Sequence, residues 1–134
     1  MGDCFYKRSE PKSSADYYAT PPKAVQALCR YVEFRPFIIE PCCGEGHISR
    51  ELQKLGYDVE SSDIIYRGFG KEGEFDFLDS TPEELQGSDI VTNPPYNQAA
   101  RFIEHALDCA DANAKIAMLL RLTFLESKKK ETSF

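Results

Sequence analysis

No apolar run in this 134-residue chain approaches the length that crosses a bilayer. The start, Met1-Gly2-Asp3-Cys4-Phe5-Tyr6-Lys7-Arg8, lacks the apolar stretch of a secretory signal. Gly2 is not followed by Ser or Thr at the position a myristoylation signal requires. These absences predict a cytoplasmic protein without membrane attachment. The five cysteines (Cys4, Cys29, Cys42, Cys43 and Cys109) are odd in number and scattered, with no C-x-x-C pair and no His at finger spacing. They predict reduced, buried thiols and no metal centre; the vicinal Cys42-Cys43 falls on a loop, where neighbouring side chains rarely point at one centre. Surplus positive charge is missing too. A net charge of −6 and a pI near 4.9 argue against a stand-alone nucleic-acid binder, whose affinity normally comes from a basic surface. Basic residues cluster at Lys7-Arg8, Lys12 and Lys128-Lys129-Lys130, near the termini, where solvated tails are the expected reading.

What is present is the composition of one globular domain, 42% hydrophobic and 28% charged, large enough for a core without disulfide staples. Residues 1–16 are polar and aperiodic, which predicts a flexible arm; residues 17–126 carry the domain and 127–134 a polar tail. Thr20-Pro21-Pro22 opens a predicted helix, with Thr20 available to cap, Pro21 suited to the first turn, and Val25, Leu28, Cys29 and Val32 on one apolar face. Phe37-Ile38-Ile39-Glu40, bounded by Pro36 and Pro41, reads as a buried parallel strand. Ile48, Leu52 and Leu55 repeat at helical spacing until Gly56 stops them. Residues 57–62 alternate like a second strand, and a Gly-rich loop (Gly68, Gly70, Gly73) leads to a brief third around Phe75-Asp76-Phe77. Thr81-Pro82-Glu83-Glu84 has capping-box spacing for a short helix. Residues 88–92 form the fourth predicted strand and 115–121 the fifth. Between them a helix buries Ala99, Phe102, Ile103, Ala106, Leu107 and Ala110. His47 and His105 fall in helical patterns and read as partly exposed helix residues. Strands alternating with helices predict an α/β, Rossmann-like three-layer sandwich with a mainly parallel sheet.

In such sheets ligands bind beyond the carboxyl ends of the strands, near the switch in strand order. The unusual residues all fall there. After the first strand, Glu40-Pro41-Cys42-Cys43-Gly44-Glu45-Gly46 places Gly44 and Gly46 where a backbone approaches a ligand closely, or in an ordinary turn. The G-x-G-x-x-G fingerprint is incomplete, and the acid Glu40 disfavours a pyrophosphate but suits a cationic or zwitterionic ligand. Asp63 lies about twenty residues downstream, where nucleotide-binding folds place the acid that accepts ribose hydroxyls; a cap or turn residue is the equal alternative. Asp76 can offer a carboxylate to an adenine amine and Phe77 a ring to its face, although Phe77 reads equally as core. After the fourth strand comes Asn93-Pro94-Pro95-Tyr96. Its two prolines supply carbonyls without N–H donors and stiffen the loop, and Asn93 is restrained by the proline that follows it. A strand ending in a proline turn is the bland reading of this corner; a rigid presentation of an Asn amide, a carbonyl and a Tyr ring is the chemical one.

The order of these segments, E-P-x-C-G-x-G, an acid, Asp-Phe and N-P-P-Y, resembles the S-adenosylmethionine-dependent amino-methyltransferases, especially the N6-adenine DNA methyltransferases. The likeness spans roughly residues 16–126 and includes Tyr17-Tyr18-Ala19-Thr20-Pro21, similar to the segment that closes over the methionine moiety in that family. It implies the class I methyltransferase fold and S-adenosylmethionine as cofactor. Cofactor contacts are implied from Tyr17, Thr20, Glu40, Pro41, Cys42, Gly44, Gly46, Asp63, Asp76, Phe77 and Asn93. It implies that Asn93 and Pro94 hold the target amine and that Tyr96, after Pro95, stacks on a flipped base, with DNA a more natural substrate than RNA.

An exocyclic aromatic amine is a poor nucleophile because its lone pair is delocalised into the ring. Two acceptors, the Asn93 side-chain oxygen and the Pro94 carbonyl, can take both amine hydrogens and turn the lone pair toward the methyl donor without a strong base. The same corner suits a glutamine side chain or another protein amide, and an acidic protein accords better with such a substrate. Family members usually continue past the fifth strand with further strands. Their absence here implies an open sheet edge suited to a homodimer or a partner subunit, or a non-catalytic cofactor-binding domain completed by one.

Overall fold

The structure is a computed structural model and describes residues 19–120. The expectations for the arm 1–16, the tail 127–134, Tyr17, Cys4 and the terminal basic clusters lie outside those residues. Four strands form one parallel sheet in the order β2-β1-β3-β4: β1 Phe37–Glu40, β2 Asp58–Ser61, β3 Asp89–Thr92 and β4 Ile116–Met118. Four α-helices connect or precede them: α1 Pro22–Tyr31, α2 His47–Lys54, α3 Pro82–Leu85 and α4 Ala99–Cys109. Among the described residues, no helix is long and apolar enough to cross a membrane.

The two central strands alternate between two cores. Ile38 and Val91 face a cluster with Val25 and Phe34 and with Ile48 and Leu52 of α2. Ile39 and Ile90, partners in register, face the opposite cluster with Phe77, Leu85, Phe102 and Ala106. The sheet is therefore covered on both faces, which explains why β1 and β3 are nearly continuous apolar runs while β2 alternates at the edge. This is an α/β three-layer arrangement of Rossmann-like type. β2 lies on one side of β1 and β3 on the other, so the strand order reverses between β1 and β3.

Local signals account for most boundaries. Thr81 and Glu84 form the reciprocal capping box of α3, with the Glu84 N–H donating to Thr81 Oγ1 and the Thr81 N–H to Glu84 Oε1. Gly56, at φ 101°, lets the chain leave α2: its N–H donates to the Gln53 carbonyl and that of Tyr57 to the Leu52 carbonyl. Both histidines lie on helices and are half-buried, as read from their patterns.

Several expectations are corrected. Residues 75–77 do not form a strand: the Phe75 N–H reaches the Asp63 carbonyl, and Asp76 accepts the Leu78 N–H to open a 3-10 turn at Phe77–Asp79. A short Asx-type bond formed within two residues displaces a ladder that would need a neighbouring strand. The sheet of the described residues thus has four strands. Leu55 is half exposed because α2 ends at Lys54, and Leu107 is 67% exposed because it projects about 100° around α4 from the buried Ala106. Thr20 does not cap α1; Pro21 occupies that position without a side-chain cap.

Candidate active site

The loop after β1, the loop after β2 and the corner after β3 meet at the carboxyl end of the sheet, where strand order reverses. Hydrogen bonds tie them together. The Cys42 N–H donates to Thr92 Oγ1 at 3.2 Å, joining the β1 loop to the end of β3. The Cys43 N–H reaches the Ser62 carbonyl at 2.9 Å and the Gly44 N–H reaches Asp63 Oδ2 at 2.7 Å, joining the same loop to the end of β2. Asn93 Nδ2 donates to Thr20 Oγ1 at 3.2 Å, joining the segment before α1 to the proline corner.

Beneath this surface lies Glu40, only 1% exposed. Ser49 of α2 donates to its Oε1 at 2.5 Å and Thr92 to its Oε2 at 3.4 Å, while Ser61 hydrogen-bonds Ser49 at 2.7 Å. Burial pushes the Glu40 carboxyl up to about 8, opposed by the Ser49 hydroxyl and reinforced by the nearby charge of Asp63. Glu40 is therefore largely protonated at neutral pH. Asp63 Oδ1 accepts the N–H groups of Ile64 and Ile65 while Oδ2 holds Gly44. Its carboxyl is raised by burial, an effect opposed by those backbone bonds and by Arg67. Two acids thus stand side by side around a loop whose Gly44, at φ 53°, is buried.

Burial is also the leading cause that pushes the Cys42 thiol well up and the Cys43 thiol to about 12, with Asp63 and Glu40 acting in the same direction. Neither supplies a thiolate at neutral pH. Cys29, Cys42, Cys43 and Cys109 are free; Cys43 is fully buried and the other three are half-buried, which corrects the expectation of buried thiols for them. Among the described residues, no group of three or more His, Cys, Asp or Glu side chains could hold a metal ion.

Not every expected site residue joins this cluster. Gly46, at φ 93°, is approached by the ring of Phe69: a Cβ at position 46 would lie 2.7 Å from it. The Phe69 ring, with the Arg50 guanidinium 4.7 Å from its centroid, thus fills the space where a side chain at position 46 would stand. Phe77 is 3% exposed and packs on Phe102 and His105 at centroid distances of 5.3 and 5.0 Å. Of its two readings, core is the one adopted, so its ring is not available to an adenine face. Asp76 is half-buried and its Oδ1 closes the turn to Leu78. Pro41 and Pro94 are buried, and Asn93, Pro95 and Tyr96 half-buried, with Tyr96 starting a 3-10 turn through Gln98.

Sequence reasoning missed Ser49, Ser61 and Thr92, the hydroxyl partners below the loops. Ser49 carried a usable signal: it lies three residues before Leu52 on the inward face of α2, where a hydroxyl needs a buried partner. Comparison with family models, with curated protein sequences and with solved structures finds no match to this chain.

Proposed function

We propose that this protein is an S-adenosylmethionine-dependent N-methyltransferase of the class I fold acting on a planar NH2 group, with the N6 amine of adenine in DNA as substrate. One observation carries the reading. The Asn93-Pro94-Pro95-Tyr96 corner stands directly after β3 at the reversal of strand order, with its Asn amide anchored, Glu40 at the end of the adjoining β1 and Asp63 in the loop after β2.

The residues present fit such a cofactor. Burial and a second acid hold Glu40 protonated, so a cationic ligand beside it would draw the carboxyl back to its charged form, which then complements the ligand's charge. Asp63, Gly44 and the Cys42 loop supply acceptors and close backbone approach for a nucleoside, and Thr20 borders the same space through Asn93. When bound, the cofactor supplies an electrophilic methyl on a sulfonium. The chain's own part is positional: the Asn93 side-chain oxygen and the Pro94 carbonyl accept the amine hydrogens and aim its lone pair, and Tyr96 offers a stacking surface.

A glutamine or other protein amide is the second reading, favoured by the net charge of −6, which repels a polyanion. The test is transfer of labelled methyl to DNA and to protein extract, each with nuclease and protease controls. Incorporation into nuclease-sensitive material is expected, with Asn93→Ala lowering it at least about a thousandfold while cofactor binding by calorimetry persists. A folded sample that binds no cofactor and labels neither substrate sinks the reading.

A further inference from the structure

A terminal carboxamide has two ends of nearly equal shape and opposite hydrogen-bonding character. If the NH2 of Asn93 faced a target amine, donor would meet donor. The productive orientation needs an acceptor elsewhere that holds the nitrogen. In the structure that acceptor is Thr20 Oγ1, 3.2 Å from Asn93 Nδ2 and 73 residues away in sequence.

We propose that Thr20 is a positioning residue whose hydroxyl sets the direction of the Asn93 carboxamide in the amine-holding corner. This rests on the methyltransferase reading above. Three features support it. Thr20 is 5% exposed, so its hydroxyl is withdrawn from water and its bond to Asn93 is not exchanged freely for solvent. It stands next to the position where a Thr would ordinarily cap a helix, yet α1 has no side-chain cap, and the hydroxyl is turned to the corner instead. Pro21 is extended at φ −67° and ψ 144°, and Pro22 follows it, which stiffens the backbone that carries Thr20. The backbone of Asn93 is restrained by Pro94, and the bond to Thr20 restrains its side-chain torsions. A planar carboxamide whose nitrogen faces Thr20 turns its oxygen away from it, the orientation an acceptor for an amine requires.

The test uses the full chain with Thr20→Val, which keeps shape and deletes the acceptor, and Thr20→Ser, which restores the hydroxyl. At saturating cofactor, Thr20→Val is expected to lower kcat about 10- to 100-fold, and Thr20→Ser to recover most of that loss. Loss confined to cofactor affinity, with kcat at saturation within about twofold of the parent, would overturn the proposal. A second measurement does not depend on turnover. The Asn93 side-chain amide resonance, assigned by its disappearance in Asn93→Asp, is expected to exchange its hydrogens at least about tenfold faster in Thr20→Val than in the parent or Thr20→Ser. Equal exchange in all three overturns the positioning role even if the protein methylates its substrate. Faster exchange in a protein that labels neither DNA nor protein leaves the contact established and refutes the methyltransferase reading on which the role rests.

Discussion

The two ends of β3 handle buried polarity in opposite ways. At its start, Asp89 is 0% exposed and accepts the Arg35 N–H at 2.7 Å, Arg35 Nε at 3.0 Å and the Lys115 N–H at 2.9 Å. Arg35 continues to the Ser88 carbonyl at 2.7 Å and grips Asp111 through both terminal nitrogens at 3.3 Å; Asp111 in turn holds the Gly87 N–H. An anion is met by a cation and by backbone donors from several segments. At the far end of the same four-residue strand, Thr92 is equally buried but sits under Glu40, whose partners are hydroxyls and whose charged neighbour is another acid. The first arrangement locks the amino ends of β1, β3 and β4 together. The second places Glu40 among hydroxyls and beside Asp63, whose rise is opposed by backbone N–H groups and Arg67, so burial there is met by raised carboxyl pKa values, the pattern of a candidate functional site.

The largest expected effect lies at the locked end. Asp89→Ala removes the buried acceptor of the part-buried Arg35 and Lys115 N–H groups and of Arg35 Nε, leaving the guanidinium to Asp111 and the Ser88 carbonyl, which should cost about 3 kcal/mol of unfolding free energy. Urea denaturation measures it, and the fraction still folded should bind cofactor with unchanged affinity. A loss below about 1 kcal/mol would show that this end is not where the sheet is organised.

The next effect is a change of slope at the open end. Glu40 is raised from 4.5 to about 8, so between those values the folded protein holds a proton that the unfolded chain has released. The associated stability is present below the ordinary carboxylate range and is lost as pH rises toward 8, at a rate approaching ~1.4 kcal/mol per pH unit. Asp111 behaves oppositely: the Gly87 N–H, then Arg35, lower its carboxyl, so its contribution is present at neutral pH and lost as acid protonates it. Glu40→Gln should flatten the alkaline limb between pH 5 and about 8 and leave the acid limb alone. It should also weaken binding of a cationic cofactor by about tenfold or more. An unaltered alkaline limb in urea melts across that range would break the contrast between the two ends.

What was legible in the chain divides along the same line. Phe37–Glu40 between two prolines, the capping box at Thr81 and the apolar run of β3 are local patterns, and the structure adopts them. Glu40, Asp63 and Asn93 could be placed at strand ends because an α/β alternation dictates where loops collect. Partners distant in sequence could not be read. Thr20 next to a helix start is chemically a cap, and only the fold reveals that its hydroxyl meets Asn93. Gly46 looked like a site of ligand approach because close approach is what glycine permits, and the pattern does not say that Phe69 makes it. Phe75-Asp76-Phe77 alternates for too few residues to decide between a strand and an Asp-capped turn, and the local bond to Leu78 decided it.

The smallest effect is the most direct comparison of the two ends. Thr92→Val keeps the β-branched shape that packs β3 and removes only the hydroxyl. The Cys42 N–H then loses its acceptor at 3.2 Å, and Glu40 loses a donor at 3.4 Å, a distance at which the bond is weak. The expected loss is about 1 kcal/mol, dominated by the Cys42 N–H. Because the Thr92 hydroxyl lowers the Glu40 carboxyl, its removal should also move the alkaline limb to higher pH while the acid limb stays in place. If Thr92→Val instead costs as much as Asp89→Ala, the hydroxyl layer under the loops is as structural as the ion pair below them, and the acids above it lose their claim to be kept for a ligand.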